Sequence, residues 1–495
     1  MTRDYSRIQI FRTILRLAWP SIIEQLLMMA VGIVSTAFVG HIGARELAAV
    51  GLVGMIIVIL ETVFAGLATG ATVVIARLTG EGNIREAKRA LVQALYIGAG
   101  AGALVSLVTL TFARPILGLF FAGTDPEVLR IGLSYFNLVM LGTPFMVLDI
   151  VVAGAVRGSG DMRTPMFVTL GVNILNVALQ TLLVPRYGVV GSATAVAISR
   201  FTGGFVRVLV SFVKKGPMRL VRGDPFALDL KLVGRIVRIG FPAFLEQFVM
   251  QGGFLAMQVI IIGIGVVSSA SFLVAVNVNS FAFMPVFGFS IATTTIVGQS
   301  LGRKDFKGAA AYAFEANLVA VVCIGLIGLA NFLFAHRLAA IFTTDPAVIA
   351  LSAGIITIFA CIDPFLGVMN VSAGVLRAAG DIVYVTVTAF IGLWVFRIAI
   401  SLLLVHVFKM GIYGLRVKAG RGECRIHHSA LIGSGHPCLC NPSIIHETFW
   451  FARTCFMYRR PAQDQCIQSD SDSVRRGRGR SIPSRSYSEV ECRSR

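Results

Sequence analysis

The sequence predicts an all-α polytopic membrane protein made of two similar, parallel lobes, and three observations indicate this fold class. Hydrophobic residues make up 56% of the 495-residue chain and charged residues only 14%, whereas soluble domains carry about 25% charged residues. Apolar runs of about 20 residues, the length that crosses a bilayer, recur along most of the chain. The motifs of the first half then return in the same order in the second half.

Eleven apolar runs are long enough to be membrane-spanning helices. They are rich in Gly and Ala, as is typical of spanning helices that pack closely. The first run begins near Ile14 and is too long for the apolar region of a signal peptide, so we expect no cleavable leader. The predicted spans are residues 14–40, 47–76, 91–112, 132–156, 164–185, 189–212, 238–264, 270–298, 312–334, 351–376 and 382–408.

Basic residues between the runs predict the orientation of the chain. Lys and Arg collect at alternate ends of the spans, and the positive-inside rule places those ends in the cytoplasm. We therefore expect a multi-pass protein of the bacterial inner membrane with a cytoplasmic N-terminus. This signal accounts for much of the net charge of +19, so the charge gives no reason to expect a nucleic-acid partner. The basic ends carry Arg3, Arg7, Arg12, Arg85, Lys88, Arg89, Arg157, Arg163, Lys214, Lys215, Arg219, Arg222, Lys231, Arg235, Arg238, Arg303, Lys304 and Lys307.

Five motifs recur between the halves at offsets of 220 to 223 residues. The first unit holds six spans, and an even number returns the chain to its starting side, so the repeats are parallel. Two such bundles enclose a cavity that can open to either side, the architecture of an alternating-access transporter. The matching motifs are Pro20 and Glu24 with Pro242 and Glu246, Gly80 with Gly302, "TDPEV" at Thr124 with "TDPAV" at Thr344, "RGSGD" at Arg157 with "RAAGD" at Arg377, and "GVVG" at Gly188 with "GIYG" at Gly411.

Glu24 and Glu246 are acids inside apolar runs, at the same position of the two repeat units. An ionisable residue in a spanning helix costs about 2.5–3.5 kcal/mol on insertion scales, so it persists where it faces protein or a wet cavity. One interpretation is a structural hydrogen bond to a neighbouring helix. The other is a pair of cavity-facing carboxylates that trade a proton or Na⁺ for a cationic substrate, and the repeated position favours it.

The repeat also predicts domain boundaries and a break near the C-terminus. We expect an N-terminal six-helix lobe at 1–212, a cytoplasmic linker at 213–238 and a C-terminal lobe at 239–415. A twelfth span is due after Gly411, but the basic, Cys-rich tail at 416–495 cannot cross hydrocarbon. Three interpretations of the tail are a disordered Arg/Ser-rich appendage, a metal-binding segment around Cys438 and Cys440, and an out-of-frame or fused read, which explains the mid-repeat break best. The second lobe is then expected to lack its twelfth helix.

Three sequence features resemble the multidrug and toxic compound extrusion (MATE) family. They are "VGHIGARELAAVG" after span one, "TPMFVTLGVNILN" in span five, and the two RxxGD loops at Arg157 and Arg377. The resemblance implies twelve helices in two six-helix lobes and exchange of Na⁺ or H⁺ for organic, often cationic, compounds. It also implies a transporter rather than an enzyme, with no cofactor beyond the coupling ion; we expect a monomer.

Two departures from the family pattern concern the N-terminal lobe. Many members have an aspartate in span one, in the slot of Ser35, and a second aspartate in span five, in the slot of Gln180. With both acids replaced, Ser35, Asn176 and Gln180 are left to line a polar pocket. The coupling role then shifts to Glu24 and Glu246, since some members use a glutamate in span seven.

Other polar residues in the spans are weaker candidates. Glu61 and Asp149 are acids within the first lobe, and each either serves transport or makes an interhelical bond. Gln25 and Gln247 either line the cavity or tie helices together. Asp363 precedes Pro364 near the start of span ten and is interpreted as a cap or kink.

Three rival functions remain open. A lipid-linked precursor flippase has a similar two-lobed plan, but its cavity needs cations to hold phosphate, and the intramembrane charges here are predicted to be mostly acidic. A membrane-bound enzyme needs clustered His and carboxylates, whereas His41, His336 and His406 lie near separate span ends. An RNA-binding protein would act through the tail.

Overall fold

The computed structural model describes residues 7–120, 125–214, 218–221, 223–224, 226–262 and 265–398. Every regular element within these ranges is a helix. Eight helices in this part of the chain are long and apolar enough to cross a membrane, and a bent pair makes a ninth. The all-α, membrane-spanning fold class is therefore confirmed, while the expected twelfth span and the tail at 416–495 lie outside the described residues.

The N-terminal lobe contains seven helices, whose bounds match the predicted spans closely. The fourth span is two helices, α5 and α6, bent by 49° at their junction. Pro144 lies in the first turn of α6, where its missing N–H leaves no helical bond unmade. The helices are α1 (Arg7–Gly40), α2 (Ala44–Gly80), α3 (Ile84–Thr111), α4 (Ala113–Phe120), α5 (Pro126–Leu141), α6 (Thr143–Gly158) and α7 (Arg163–Val213).

Helix α7 contains the fifth and sixth predicted spans, and the chain reverses direction between them, since Asn176 bonds to Ser199 and Arg207 bonds to Thr169 across the two segments. The two segments meet at a kink where Gly188 has φ 56° and ψ −134°, three residues after Pro185. Proline removes a helical hydrogen bond, and glycine has no Cβ to oppose this backbone conformation. The "GVVG" motif therefore forms the tight turn between two antiparallel helical segments, and Gly191 there packs directly against the Leu183 backbone.

We expect Gly188→Ala to destabilise the fold by about 1–3 kcal/mol, because the kink requires a backbone conformation that a side chain resists. The thermal unfolding midpoint of the detergent-purified chain measures this. Gly171→Ala, at a regular helical position of α7 with open space around it, is the control and should leave the midpoint unchanged or raise it. Equal midpoints for the two variants would show that the kink carries no strain.

The C-terminal lobe repeats this plan as far as residue 398. Its first helix, α8, begins at Leu230, so Arg235 and Arg238 lie on a helix and not in the linker where they were expected. After α12 the backbone continues as a π-helical segment, Ile391–Ile398. The helices are α8 (Leu230–Ile262), α9 (Val266–Gly302), α10 (Phe306–Phe342), α11 (Pro346–Ala379) and α12 (Ile382–Phe390).

The repeated "TDP" motifs begin equivalent helices. Asp125 accepts a hydrogen bond from the backbone N–H of Glu127 at the start of α5, and Asp345 accepts one from Ala347 at the start of α11. In each motif the proline occupies the first helical turn, where its fixed φ suits the helix. An Asp–Pro pair thus starts a helix at the same point of both lobes.

The first two helices of each lobe make the contact between the lobes. Helix α1 packs against α9, and α2 packs against α8, which are equivalent pairs in the repeat. Ile14 of α1 belongs to one buried apolar cluster with Phe289 of α9. Midway along the other pair, Gln251 Nε2 of α8 donates to Thr62 Oγ1 of α2 at 3.1 Å. The two lobes therefore share a long polar and apolar seam.

Candidate functional site

Glu24, the first predicted coupling acid, forms a buried ion pair. Its residue is 1% exposed, and its two carboxylate oxygens accept hydrogen bonds from Arg157 Nε at 3.1 Å and Nη2 at 2.8 Å. Arg207 Nη1 lies 4.0 Å from Glu24 Oε1. Because a two-pronged guanidinium–carboxylate pair is the strongest arrangement these groups make, Glu24 is already neutralised by a neighbouring helix.

Glu246 makes the same contact in the second lobe. Arg377 Nε donates to Glu246 Oε2 at 3.2 Å, and Arg377 Nη2 donates to Oε1. The arginines of the two RxxGD loops lie near the ends of α6 and α11, yet the Arg157 and Arg377 side chains are only 14% and 15% exposed. Each reaches back into the bundle because the buried carboxylate attracts it. The two repeated motifs are therefore the two halves of one contact.

Glu61 and Asp149 are also paired, through two arginines that the sequence analysis did not single out. Arg200 Nη2 donates to Glu61 Oε1 at 2.8 Å, and Arg207 Nε donates to Asp149 Oδ1. Arg200 and Arg207 are seven residues apart on α7, so they lie on the same helical face. That spacing inside an apolar span is the signal that could have identified them. The expectation of mostly acidic intramembrane charge is wrong for the described residues, since these acids are matched by arginines.

The residues expected to line a polar pocket in the N-terminal lobe make hydrogen bonds between helical segments, and their role as a pocket stays a prediction. Gln180 Nε2 donates to Ser35 Oγ at 3.2 Å, and Asn176 Nδ2 donates to Ser199 Oγ at 3.2 Å. The side-chain oxygens of Asn176 and Gln180 are buried without a hydrogen-bond partner in the described structure. These hydrogen bonds join α1 to α7 and the two segments of α7 to each other, and they leave the side-chain oxygens of Asn176 and Gln180 without a donor.

Gln25 and Gln247 lie beside the paired glutamates in the chain, and both are partly buried. They occupy equivalent positions of the two lobes, as their motifs do. Whether they line a cavity or tie helices stays a prediction.

Asp363 differs from the other buried acids. The residue is 1% exposed, and Asn279 Nδ2 donates to its Oδ1 at 3.3 Å. Its Oδ2 has no hydrogen-bond partner among the described residues, and no described Lys or Arg forms an ion pair with it. Asp363 lies beside Pro364 inside α11 rather than at its start. Asp363 thus places a buried carboxyl group in the C-terminal lobe, where its neighbour Pro364 predicted only a cap or a kink.

The lobes are joined at one end of the bundle by reciprocal hydrogen bonds of Arg77 and Gln299, and Thr295 Oγ1 also donates to the Arg157 carbonyl there at 3.3 Å. We call this end the N-terminal face; it holds the start of α1 and the α2–α3, α6–α7, α7–α8, α9–α10 and α11–α12 connections. Arg77 Nη2 of α2 donates to the Ala378 carbonyl of α11 at 2.8 Å. Gln299 of α9, the repeat partner of Arg77, donates to the Gly158 carbonyl of α6 at 3.1 Å. We call these two bonds the interlobe latch.

The helix ends beside the latch approach each other at backbone distance. A Cβ atom at Gly80 would lie 2.1 Å from the Gln299 carbonyl oxygen, and one at Gly302 would lie 2.1 Å from the Arg77 carbonyl oxygen. Such distances are far below any real Cβ contact, so glycine is required at both positions while the ends stay together. Equivalent glycines of the two repeat units thus let the lobes come into backbone contact at the N-terminal face.

Comparisons with known proteins agree with this two-lobed architecture. The MatE family model matches residues 20–182 and 242–403, one segment in each lobe. The chain is similar to a probable multidrug resistance protein NorM of Thermotoga maritima, 32% identical over 418 residues that cover 82% of this chain and 88% of the relative. It is 28% identical to the multidrug resistance protein PmpM of Pseudomonas aeruginosa, over 75% of this chain and 79% of the relative.

Solved structures show the same fold. A multidrug resistance MATE family transporter of the MOP superfamily in an outward-facing conformation superposes with a TM-score of 0.75 at 22% identity, covering 83% of this chain and 93% of that one. Because the family model matches most of both lobes and the Thermotoga relative is covered nearly throughout, the chain belongs to the MATE family of efflux transporters.

Proposed function

We propose that this chain is a secondary antiporter of the inner membrane that exports organic cations in exchange for H⁺ or Na⁺, with its N-terminal face in the cytoplasm. Relatives named as multidrug resistance proteins support efflux of small organic compounds. The basic connections at the N-terminal face support the orientation. The parallel lobes provide two rigid halves that rock about a shared seam.

The carboxyl group of Asp363, which has a hydrogen bond from Asn279 but no described cation beside it, is the observation that carries the coupling proposal. An ionised carboxylate buried without a partner is strongly unfavourable, so it binds a proton or a cation instead. Glu24, Glu61, Asp149 and Glu246 do not face this choice, because an arginine already neutralises each of them. Among the buried acids that the structure describes, Asp363 is therefore the one whose charge is free to alternate between the coupling ion and a cationic substrate.

The alternative of a lipid-linked precursor flippase requires unpaired cations between the lobes. The four arginines that the described spans bury beside acids are each engaged by a carboxylate. A phosphate would have to displace those carboxylates, at the cost of leaving them buried and unpaired. Cation export therefore fits the charge distribution better.

We expect Asp363→Asn to lower gradient-driven export of ethidium, a cationic dye, by at least about tenfold, since the amide cannot exchange a proton or bind Na⁺ as a carboxylate does. Dye movement is measured in vesicles under a proton gradient and a Na⁺ gradient imposed separately. The purified chain provides a second readout: Na⁺ against choline, or acid against neutral pH, should shift its unfolding midpoint, and the substitution should remove that shift.

Glu24→Gln and Glu246→Gln are the comparison variants, and their own coupling role stays a prediction. If either removes the ion-dependent shift while Asp363→Asn retains it, coupling belongs to that glutamate and not to Asp363. If Asp363→Asn retains both the shift and gradient-driven export, the proposal for Asp363 is wrong.

A further inference from the structure

A cavity of about 390 Å³ opens at the N-terminal face of the first lobe. It lies between α1, the turn joining α6 to α7, the end of α7 and residues 218–219. Its lining is strongly basic, with Asp161 as the carboxylate among the described lining residues. The charged lining residues are Arg16, Asp161, Arg163, Arg207, Lys214 and Arg219.

Asp161, the carboxylate of this cavity, already accepts hydrogen bonds from Thr164 and Lys214. Thr164 donates to Asp161 Oδ1 from its backbone N–H at 3.1 Å and to Oδ2 from its hydroxyl, and Lys214 Nζ also donates to Oδ2. Burial alone would raise the pKa of Asp161, but these hydrogen bonds outweigh burial and lower the pKa below its ordinary value. Asp161 is therefore ionised at neutral pH and balances Lys214. Arg16 and Arg163 form no ion pair with any described carboxylate.

Arg207 lies at the inner wall of the cavity with one nitrogen unused. The residue is 3% exposed; its Nε and Nη2 donate to Asp149, and Nη2 also donates to Thr169 Oγ1 at 3.2 Å. Nη1 is buried without a hydrogen-bond partner in the described structure, and Glu24 Oε1 is 4.0 Å away. A buried donor without an acceptor is unfavourable, so an anion that reached Arg207 Nη1 could accept a hydrogen bond from it without displacing Asp149.

The rim of the cavity has the features of a membrane interface. The Arg163 guanidinium lies 5.8 Å from the centre of the Trp19 ring, and Trp19 is 39% exposed. One turn further along α7, Phe167 is 60% exposed. Tryptophan concentrates at headgroup depth, and an exposed phenylalanine beside it offers an apolar surface for an acyl chain.

We propose that this cavity binds the phosphate of an anionic membrane lipid, with the headgroup between Arg16 and Arg163 and the acyl chains along Trp19 and Phe167. Basic pockets between spanning helices are suited to such headgroups. Because α1 and both ends of α7 form the walls of the cavity, a bound lipid would contact both helices. The Gln180–Ser35 hydrogen bond already connects the same two helices. A free phosphate offers the same charge without the acyl chains, so the two sources are separable.

The test measures lipid binding to the purified full chain in detergent by native mass spectrometry. We expect phosphatidylglycerol to be retained in preference to phosphatidylcholine. Arg16→Gln with Arg163→Gln should weaken phosphatidylglycerol binding about 25-fold, at about fivefold for each basic residue near an anionic surface. Arg238→Gln is the matched control, because Arg238 is the exposed repeat partner of Arg16 on α8 and lies outside the lining; it should retain binding.

Three results would overturn the proposal. Equal retention of both lipids would remove the need for an anionic headgroup. Equal losses in the double variant and in Arg238→Gln would indicate unspecific attraction to a basic face. Displacement of the lipid by an equimolar amount of inorganic phosphate would assign the cavity to a soluble anion. The thermal unfolding midpoint, which these exposed substitutions should leave unchanged, shows that each variant is folded.

Discussion

Arg157→Met should destabilise the protein by about 3–5 kcal/mol, because it leaves the Glu24 carboxylate buried without its two-pronged partner. The unfolding midpoint of the detergent-purified chain in a denaturant series measures the loss. Arg377→Met should have an equal effect, since Glu246 occupies the same place in the second lobe. These are the largest stability changes that the paired charges predict.

The double variant Glu24→Met with Arg157→Met should recover most of that loss, because well-packed apolar residues often replace a buried ion pair at little cost. Arg45→Met is the control for a pair of the same length. Arg45 lies 2.7 Å from Glu127, but their side chains are 63% and 47% exposed, so its loss should cost no more than about 1 kcal/mol. If Arg157→Met and Arg45→Met lower the free energy of unfolding equally, the buried ion pair stabilises the protein no more than the exposed one.

The helical fold and its repeat were predictable because long apolar runs and recurring motifs are properties of the chain itself. The differences from prediction are a bend inside one span and the start of one helix. Pro185 and Gly188 predicted the boundary between two spans, and the chain reverses direction there. The bend at Gly142 was not predicted because the apolar run that contains it is long enough for a single straight span. Helix α8 begins early because basic residues are compatible with an exposed helical turn.

The candidate site was only partly predictable, because its contacts join helices that are far apart in the sequence. The repeat singled out Glu24 and Arg157 separately, but only the packing of α1 beside α6 and α7 shows that they bind each other. Burial of Arg207 required knowing which face of α7 points inward. Asp363 was assigned to a kink on the strength of its neighbour Pro364, and its isolation from every described cation is a property of the folded lobe.

Opening the interlobe latch should separate the two lobes at the N-terminal face. Leucine at Gly80 places a side chain against the Gln299 carbonyl oxygen, where even a Cβ atom would be at 2.1 Å. Because the obstruction is backbone and cannot rotate away, the ends of α2 and α9 have to move apart. We expect Gly80→Leu to abolish the closed arrangement and, since an alternating-access cycle needs closure at each face in turn, to abolish export as well.

The separation is measurable with spin labels at Glu81 and Arg303, exposed repeat partners that follow α2 and α9. Pulsed dipolar spectroscopy should show a short distance in the parent chain, with its native cysteines replaced, and a longer one in Gly80→Leu. Gly54→Leu, on the same helix with open space around it, is the control and should keep the short distance.

The two hydrogen bonds of the latch should contribute unequally, although the repeat makes them equivalent. Arg77 is a charged donor to the Ala378 carbonyl, and a charged hydrogen bond is worth about 1.5–3 kcal/mol against about 0.5–1.5 kcal/mol for a neutral one. Arg77→Leu should therefore populate the long distance more than Gln299→Leu, which removes the neutral bond to Gly158. If both leave the distance unchanged while Gly80→Leu lengthens it, the bonds of Arg77 and Gln299 follow closure without stabilising it, and backbone packing with the remaining Thr295 bond holds the helix ends together.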